Sequence, residues 1–375
     1  MTRLKKIFIP ERLIEAREVR GYTKADLARQ LGISRQAISQ FEKGTTSPGS
    51  STIISLTRIL RMPLNYFFTE RPRMNSRTSP LYFRKRNSAT KISRIQGARL
   101  EEWFADIVGF LSSYFDMPDV RVLDCDKEPK LVSRRDIESL ALELRRFWGL
   151  GLGPINNLTR LLENHGLILG KTKLSGLMDS YSCWRQSKAN IILTNANISS
   201  VRFRFNLAHE LGHLILHRHI DEHEFESREN HKLFEDQANA FASSFLMPEE
   251  TFVNDFLSPS IEALLYLKKR WLVSIQAIAI RCLQLSLISE SQYENIFRTL
   301  NARYDGRRKE PLDNEIPMEV PILVSHSMQV LIDKGIASQE KILMDLNLPI
   351  QELVDFSNLS IDVFDRDNVL VMPRD

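Results

Sequence analysis

The stretch 201-VRFRFNLAHELGHLILH-217 constrains this chain more than any other. Its apolar residues, Phe205, Leu207, Leu211, Leu214 and Ile215, recur at helical spacing, so it reads as a largely buried helix. Inside it stands His209-Glu210-Leu211-Gly212-His213. Residues four apart on a helix share a face, so His209 and His213 can hold one metal ion through their ring nitrogens. Glu210 sits beside them, placed to take a proton from a water activated by that metal, which would also polarise a substrate carbonyl. The plain alternative is a half-buried helix face with two histidines; the apolar walls on both sides weigh against it.

A catalytic zinc site of this kind needs a third protein ligand. His217, His219, His223, His231 and several acids lie close in sequence, so proximity does not choose among them. A second helix is expected over 234-FEDQANAFASSFLMP-248, with Phe234, Ala238, Phe241, Phe245 and Leu246 as its apolar stripe and Pro248 as its end. Glu235 and Asn239 share an adjoining face, and an antiparallel packing would carry Glu235 to the metal. A solvated surface acid is the other reading of Glu235 at this point.

Length and charge bound the rest. At about 150 residues per domain, 375 residues suggest two or three domains. With 43% hydrophobic and 26% charged residues the composition is globular, and no run of about 18 apolar residues offers a membrane span. The N-terminus lacks the apolar region and cleavage site of a signal peptide. Cys125, Cys183 and Cys282 form no paired motif, which fits a reducing cytoplasm. Charge is unevenly spread. Residues 1–100 carry 21 Lys/Arg against 6 Asp/Glu, and the remainder 30 against 41. A basic end on an acidic body points to nucleic acid as the partner of that end.

Within the basic end, residues 10–68 read as a run of short helices. Leu13, Ala16 and Val19 mark the first. Thr23 caps a second over 24–31, Gly32-Ile33 turns the chain, and Ser34 caps a third over 35–44. Ser51 or Thr52 is expected to cap a fourth, and Pro63 to start a fifth that ends near Phe68. Leu27, Ala28 and Leu31 can pack on Ile33, Ala37, Ile38 and Phe41, leaving Arg35, Gln36, Ser39 and Gln40 outward near the start of the third helix. Arg can bind guanine O6 and N7, and Gln can bind adenine N6 and N7. The capped helix starts suit phosphate contacts.

Residues 71–99 carry nine Lys/Arg and no acid and read as a basic connector, with Arg84, Lys85 and Arg86 supplying sequence-independent DNA contacts. An amphipathic helix follows over 98–115, with Leu100, Phe104, Ile107, Leu111 and Phe115 on one face, and then a polar junction over 117–135. Helices are expected from 137 to 148, through 164, and at 201–217, 233–246, 261–270, 275–284 and 338–346. Short strands are expected at Leu167–Leu169 and Ile191–Leu193. Arg202 and Arg204 read either as flanks of a cleft or as surface charges.

Two resemblances add to this reading. Residues 8–69 resemble the XRE (Cro/C1-type) helix-turn-helix family. That implies a five-helix DNA-binding domain whose third helix enters the major groove, with Arg35, Gln36 and Gln40 at base-reading positions and Thr23 and Lys24 at the backbone. Ser34 and Ser39 complete the expected DNA-binding set. The resemblance also implies a palindromic operator and a homodimer. The second pattern, HELGH followed by E-x-x-A-N-x-F-A-x-x-x-L-M-P, resembles the ImmA/IrrE family of metallopeptidase domains. There the Glu that opens the E-x-x-A-N pattern is the third metal ligand, which implies Glu235 here. The similarity extends to 145-RRFWGLGLGPINNL-158, 182-SCW-184, 268-KKRWLVSIQAIAIRCLQLSLISESQY-293 and 309-KEPLDNEIP-317, with Asn206 standing where a Thr is expected.

The expected fold is mainly α with a small α+β part. It comprises an N-terminal five-helix helix-turn-helix domain (1–70), a basic connector with an amphipathic helix (71–135), a zincin-like metallopeptidase domain (136–250) and a helical C-terminal region (251–375). The resemblance implies a cytoplasmic, sequence-specific transcription regulator with a zinc-dependent endopeptidase domain, whose protein substrate would be a repressor or the chain itself. The alternative is a non-catalytic regulator that uses the zincin fold to sense a ligand or partner, in the manner of an antitoxin.

Overall fold

The structure is a computed structural model that describes residues 7–71, 77–85, 91–172, 178–185, 188–193, 198–304 and 309–364. Arg86 of the basic connector lies outside the described residues, as does 365–375.

The chain begins with four helices, α1 (Pro10–Val19), α2 (Lys24–Leu31), α3 (Arg35–Glu42) and α4 (Ser50–Leu60). Pro10 opens α1, where its missing N–H costs nothing. Thr23 and Asp26 form a reciprocal capping box on α2, each side chain accepting from the other's backbone N–H. Gly32, at φ 68°, ends α2 in the left-handed region and lets the chain turn at once into α3. The fourth helix differs from expectation: it starts at Ser50 behind Gly49 with no side-chain cap, so neither Ser51 nor Thr52 has that role. The fifth element is a single 3-10 segment, Leu64–Phe68, which puts Tyr66 and Phe67 into the core.

Beyond it the basic connector does more than span a gap. It supplies a strand, β1 (Tyr82–Lys85), and then α5 (Lys91–Ser112), which starts seven residues earlier than the amphipathic stripe suggests and ends before Phe115. Next come α6 (Arg134–Phe147), α7 (Leu158–Asn164), β2 (Leu167–Lys171), β3 (Met178–Arg185), β4 (Lys188–Leu193), α8 (Ser200–Leu216), α9 (Glu222–Glu226) and α10 (Arg228–Leu246). The strands form one sheet in the order β1-β3-β4-β2. β3 lies antiparallel to both β1 and β4, and β2 runs parallel to β4.

Alternation along the strands gives the sheet two apolar faces. Leu167, Leu169, Trp184 and Ile191 join the core built with α8 and α10. Ile168, Tyr181 and Cys183 join a second core, made with α5 and the N-terminal helices. The rest of the chain divides between the same two cores. The helices α11 (Glu249–Asp255), α12 (Ile261–Trp271), α13 (Ile275–Gln284) and α14 (Glu290–Tyr304) pack into the first. The helices α15 (Leu323–Asp333), α16 (Gln339–Leu346) and α17 (Ile350–Ser357) pack into the second, beside α5. The fold is thus mainly helical with one small mixed sheet, as the sequence suggests.

The pairing of α8 with α10 positions the site. The two helices run antiparallel, since His209 meets Asn239 while His213 meets Glu235. They come close because residue 212 is glycine. A Cβ there would lie 3.2 Å from the Cα of Ala238 and from Phe241, tighter than most packed side chains, so the neighbours would have to give way. Gly212→Val is therefore expected to force the helices apart and cost about 1–3 kcal/mol by overpacking, with Gly212→Ala costing less. Urea denaturation of both variants beside the wild type checks the order.

Candidate metal centre and DNA-reading face

α8 is buried along nearly its whole length, including His209, Glu210, His213 and its C-cap His217. Buried polar groups need partners, and those of this helix are specific. The Nε2 atoms of His209 and His213 face each other at 3.0 Å. Glu235 of α10 brings its carboxylate to 3.6 Å from the first and 3.3 Å from the second. One ligand atom from each of the three residues lies within 4.8 Å of the others.

The neighbouring hydrogen bonds assign the tautomers. Gln237 donates its Nε2 to the carbonyls of Pro129 and Val132 at 2.6 and 3.3 Å, so its Oε1 is the acceptor for His217 Nε2 at 3.0 Å. With its proton on Nε2, His217 presents an accepting Nδ1, and His213 donates its Nδ1–H to it at 2.9 Å. Burial, with His213 as a second cause, pushes the His217 pKa well below the usual imidazole value, which keeps that ring neutral. His209 likewise donates Nδ1–H to Asn239 Oδ1 at 3.0 Å. Both ligand rings therefore turn a lone pair on Nε2 towards the same point. Two such lone pairs 3.0 Å apart beside a carboxylate repel unless a cation stands among them. The donor set, two imidazoles and one carboxylate, is one that zinc takes at catalytic sites. The residues present fit a divalent metal.

Glu210 is held from the sheet. Ser180 and Ser182 of β3 each donate a hydroxyl to one of its carboxylate oxygens at 2.6 Å. Tyr82 of β1 stacks on the His213 ring at 5.3 Å and 6°, and its hydroxyl donates to the carbonyl of His217 at 2.6 Å. Of the other histidines near in sequence, His217 lies behind His213 and does not reach the Nε2 cluster, and His219 is exposed and paired with Asp124 at 3.0 Å. His223 is exposed, and His231 lies against Phe225. Arg204 is neither a cleft flank nor a surface charge. It is buried, ion-paired with Glu319 and bonded to the carbonyls of Leu272 and Ile155, so it ties α8 to the segment before α15. Arg202 lines a cavity of about 670 Å³ together with Asn206, Asn239 and Ser243.

On the N-terminal helices, Arg35, Gln36 and Gln40 stand exposed at the start and middle of α3, with Ser39 half-buried and Ile38 in the core. Ser34 Oγ accepts from Ala37 N at 3.1 Å and so caps α3. Thr23 is exposed at the start of α2. Lys24 pairs with Glu42 at 2.9 Å, and Arg17 also binds Glu42, at 2.6 Å; together they fix α3 against α1 and α2.

Sequence reasoning missed Ser180, Ser182, Tyr82 and the supporting pair His217 and Gln237. A signal existed for some. His209, His213 and His217 recur every four residues on one helix face, and 180-SYSCW-184 alternates small polar with aromatic or apolar residues as a strand does. For Tyr82 there was none, since its partner is 100 residues away along the chain.

Comparison with known proteins matches two stretches of the chain. Residues 13–67 match the helix-turn-helix family model, and residues 162–283 match the model of peptidase family M78, described as the IrrE N-terminal-like domain. Two curated relatives, HTH-type transcriptional regulators from Sinorhizobium medicae (strain WSM419) and Rhizobium meliloti (strain 1021), are each 32% identical over 74 residues. The match covers 20% of this chain and 53% of each relative, so the chain spans about half the length of the curated relatives it matches. Among solved structures, Bacillus thuringiensis PlcR in complex with the peptide PapR7 and DNA aligns with 94% of this chain and 81% of that one. The identity is 12% and the TM-score 0.15, too loose an overlap to assign a fold. The chain therefore carries one stretch, residues 13–67, that matches the helix-turn-helix model and another, residues 162–283, that matches the model of the IrrE N-terminal-like domain.

Proposed function

We propose that the protein is a sequence-specific DNA-binding transcription regulator, acting as a homodimer in the cytoplasm, whose second domain is a zinc-dependent endopeptidase. The observation that carries the peptidase reading is the convergence of His209, His213 and Glu235 with Glu210 on the same helix. Zinc, when bound there, supplies Lewis acidity and lowers the pKa of water. His209 and His213 would hold it through Nε2 and Glu235 through its carboxylate. Glu210 would accept a proton from the attacking water and pass it to the leaving amine. Ser180 and Ser182 keep the Glu210 carboxylate from rotating away. The protein substrate would be a repressor or a copy of the chain itself.

A second reading, a regulator that uses this domain only as a sensor of a ligand or partner, draws on the complete burial of Glu210. Glu210→Gln separates the two. It keeps size and hydrogen bonding but does not accept a proton at neutral pH, a loss worth about 100-fold or more in rate. For a peptidase, the variant folds and binds zinc yet loses cleavage and control of a reporter at the native promoter. Wild-type control without cleaved products would leave the sensor.

The metal reading has its own measurement. Purified protein should bind one zinc per chain, and His213→Ala should lose it. Gln237→Leu, which touches no metal ligand, should weaken zinc about 10–100-fold in a chelator competition by freeing the His217 and His213 tautomers. Unchanged affinity would refute the relay from Gln237 to His213.

The DNA reading rests on the exposed start of α3. Arg35, Gln36 and Gln40 would read base edges, with Ser39 beside them, while Thr23, Lys24 and Ser34 would contact the phosphates. Replacing Gln36 or Gln40 with Ala should cost about 1–3 kcal/mol on the cognate operator and relax base preference there. Binding titrations against operator variants at fixed salt test this, and unchanged selectivity would reject the docking.

A further inference from the structure

β3 is the strand nearest Glu210, since the two serines that hold its carboxylate project from it. One edge of β3 is taken by β4. The other edge is where an extended peptide would add, by the main-chain pairing that binds peptides to sheet edges elsewhere. In this chain that edge is already filled. β1, from the connector that follows the helix-turn-helix domain, pairs with it antiparallel, Tyr82 opposite Ser182 and Phe83 opposite Tyr181. Upstream, Thr78 N donates to the carbonyl of Trp184 at 3.0 Å, and Trp184 N donates to Ser79 Oγ at 2.9 Å, so the segment is anchored before the strand begins.

Its seating is specific. The Tyr82 ring is fully buried, stacked on His213 and edge-on to Phe225 at 5.0 Å, while its hydroxyl is bonded to the carbonyl of His217. Leu81, the next residue back, is buried in the core on the other side of the sheet. The connector thus fills a pocket for an aromatic side chain against one of the candidate metal ligands.

We propose that the edge of β3 on which β1 lies is the docking groove for an extended polypeptide bearing an aromatic residue, and that residues 77–85 are its built-in occupant, closing the site to other chains. The inference rests on the peptidase reading only in calling the displaced chain a substrate. The groove and its occupant stand on the pairing. The occupant is attached to the DNA-binding half. α5, which follows it, packs on α1, where Trp103 donates to Glu15, and Arg71 just upstream binds Asp106 and Glu102 of α5. The occupant thus lies in sequence between two elements that are bonded beside the N-terminal helices.

The test uses the full chain and a dye-labelled peptide of residues 77–85, RTSPLYFRK, followed by fluorescence anisotropy. Wild type, its groove filled, should not bind the peptide at micromolar concentration. The Leu81→Asp/Tyr82→Ala variant should bind it, at least about tenfold more tightly than it binds the same peptide with Tyr82→Ala, given the ring's buried stacking. Tyr82→Ala alone serves if circular dichroism shows the double variant unfolded. A folded variant that ignores the peptide, or a wild type that binds it equally well, overturns the proposal. Zinc-loaded variants should also lose metal to EDTA at least about tenfold faster than wild type. Peptide binding without hydrolysis of added casein would keep the groove and remove the peptidase reading. Glu210-dependent cutting of the wild-type chain within 77–85 would make the segment a substrate and overturn its role as a plug.

Discussion

The burial of three imidazoles and a carboxylate on one apolar helix is the constraint around which the second half of the chain is arranged. An unpartnered polar group in such a place costs several kcal/mol, so each has to find a partner from a different element. Asn239 and Glu235 come from α10, Ser180 and Ser182 from β3, Gln237 reaches His213 through His217, and Pro129 and Val132 hold Gln237 from the junction before α6. These partners reach back to Pro129, well upstream of α8, and require α10, the sheet and the junction to be in place together. The glycine at 212 is part of the same requirement, because hydrogen bonds near 3.0 Å between two helices need close backbones.

The sheet carries this arrangement to the rest of the molecule. Its strands bury residues on both faces, so displacement of β3 is felt in the core with α8 and in the core with α5. Glu101 of α5, fully buried, accepts from Arg185 of β3 at 2.8 and 2.7 Å and from Asn190 of β4 at 3.3 Å. Removing one partner of such a pair leaves a buried charge, which ordinarily costs more than the pair contributes. On its other side α5 meets α1, and Arg20 at the end of α1 pairs with Glu352 of α17. The C-terminal helices α15 to α17 therefore pack with the N-terminal domain and α5, although they are farthest from that domain in sequence.

What was legible in the sequence follows from how local each feature is. The caps Thr23 and Ser34, the Gly32 turn and the i, i+4 histidines act within a few residues and are found where the pattern places them, whereas the cap expected at Ser51 or Thr52 is replaced by an uncapped start behind Gly49. Glu235 could not be chosen from spacing alone, since His217, His219, His223 and His231 compete in composition. The chain's path then turns His219 and His223 to solvent and sets His217 behind His213. The sheet was only half readable. β2 and β4 announce themselves as apolar runs, while β3 alternates small polar residues with aromatic or apolar ones and β1 is short and basic and becomes a strand through pairing with a neighbour 100 residues away. Arg204 was misjudged because an arginine in an otherwise amphipathic helix reads as a solvent-facing charge. Its guanidinium is stabilised by Glu319 and two carbonyls that no local pattern reveals.

The connector makes the same point from the opposite direction. Nine basic residues without an acid over 71–99 suggest a solvated tether along DNA. The connector nevertheless buries Leu81, just before β1, and Tyr82, the first residue of β1, in different cores on either side of the sheet. The charge argument concerns side chains that point outward, whereas strand formation depends on which residues point inward, and two apolar residues in sequence are enough when an unpaired edge waits for them.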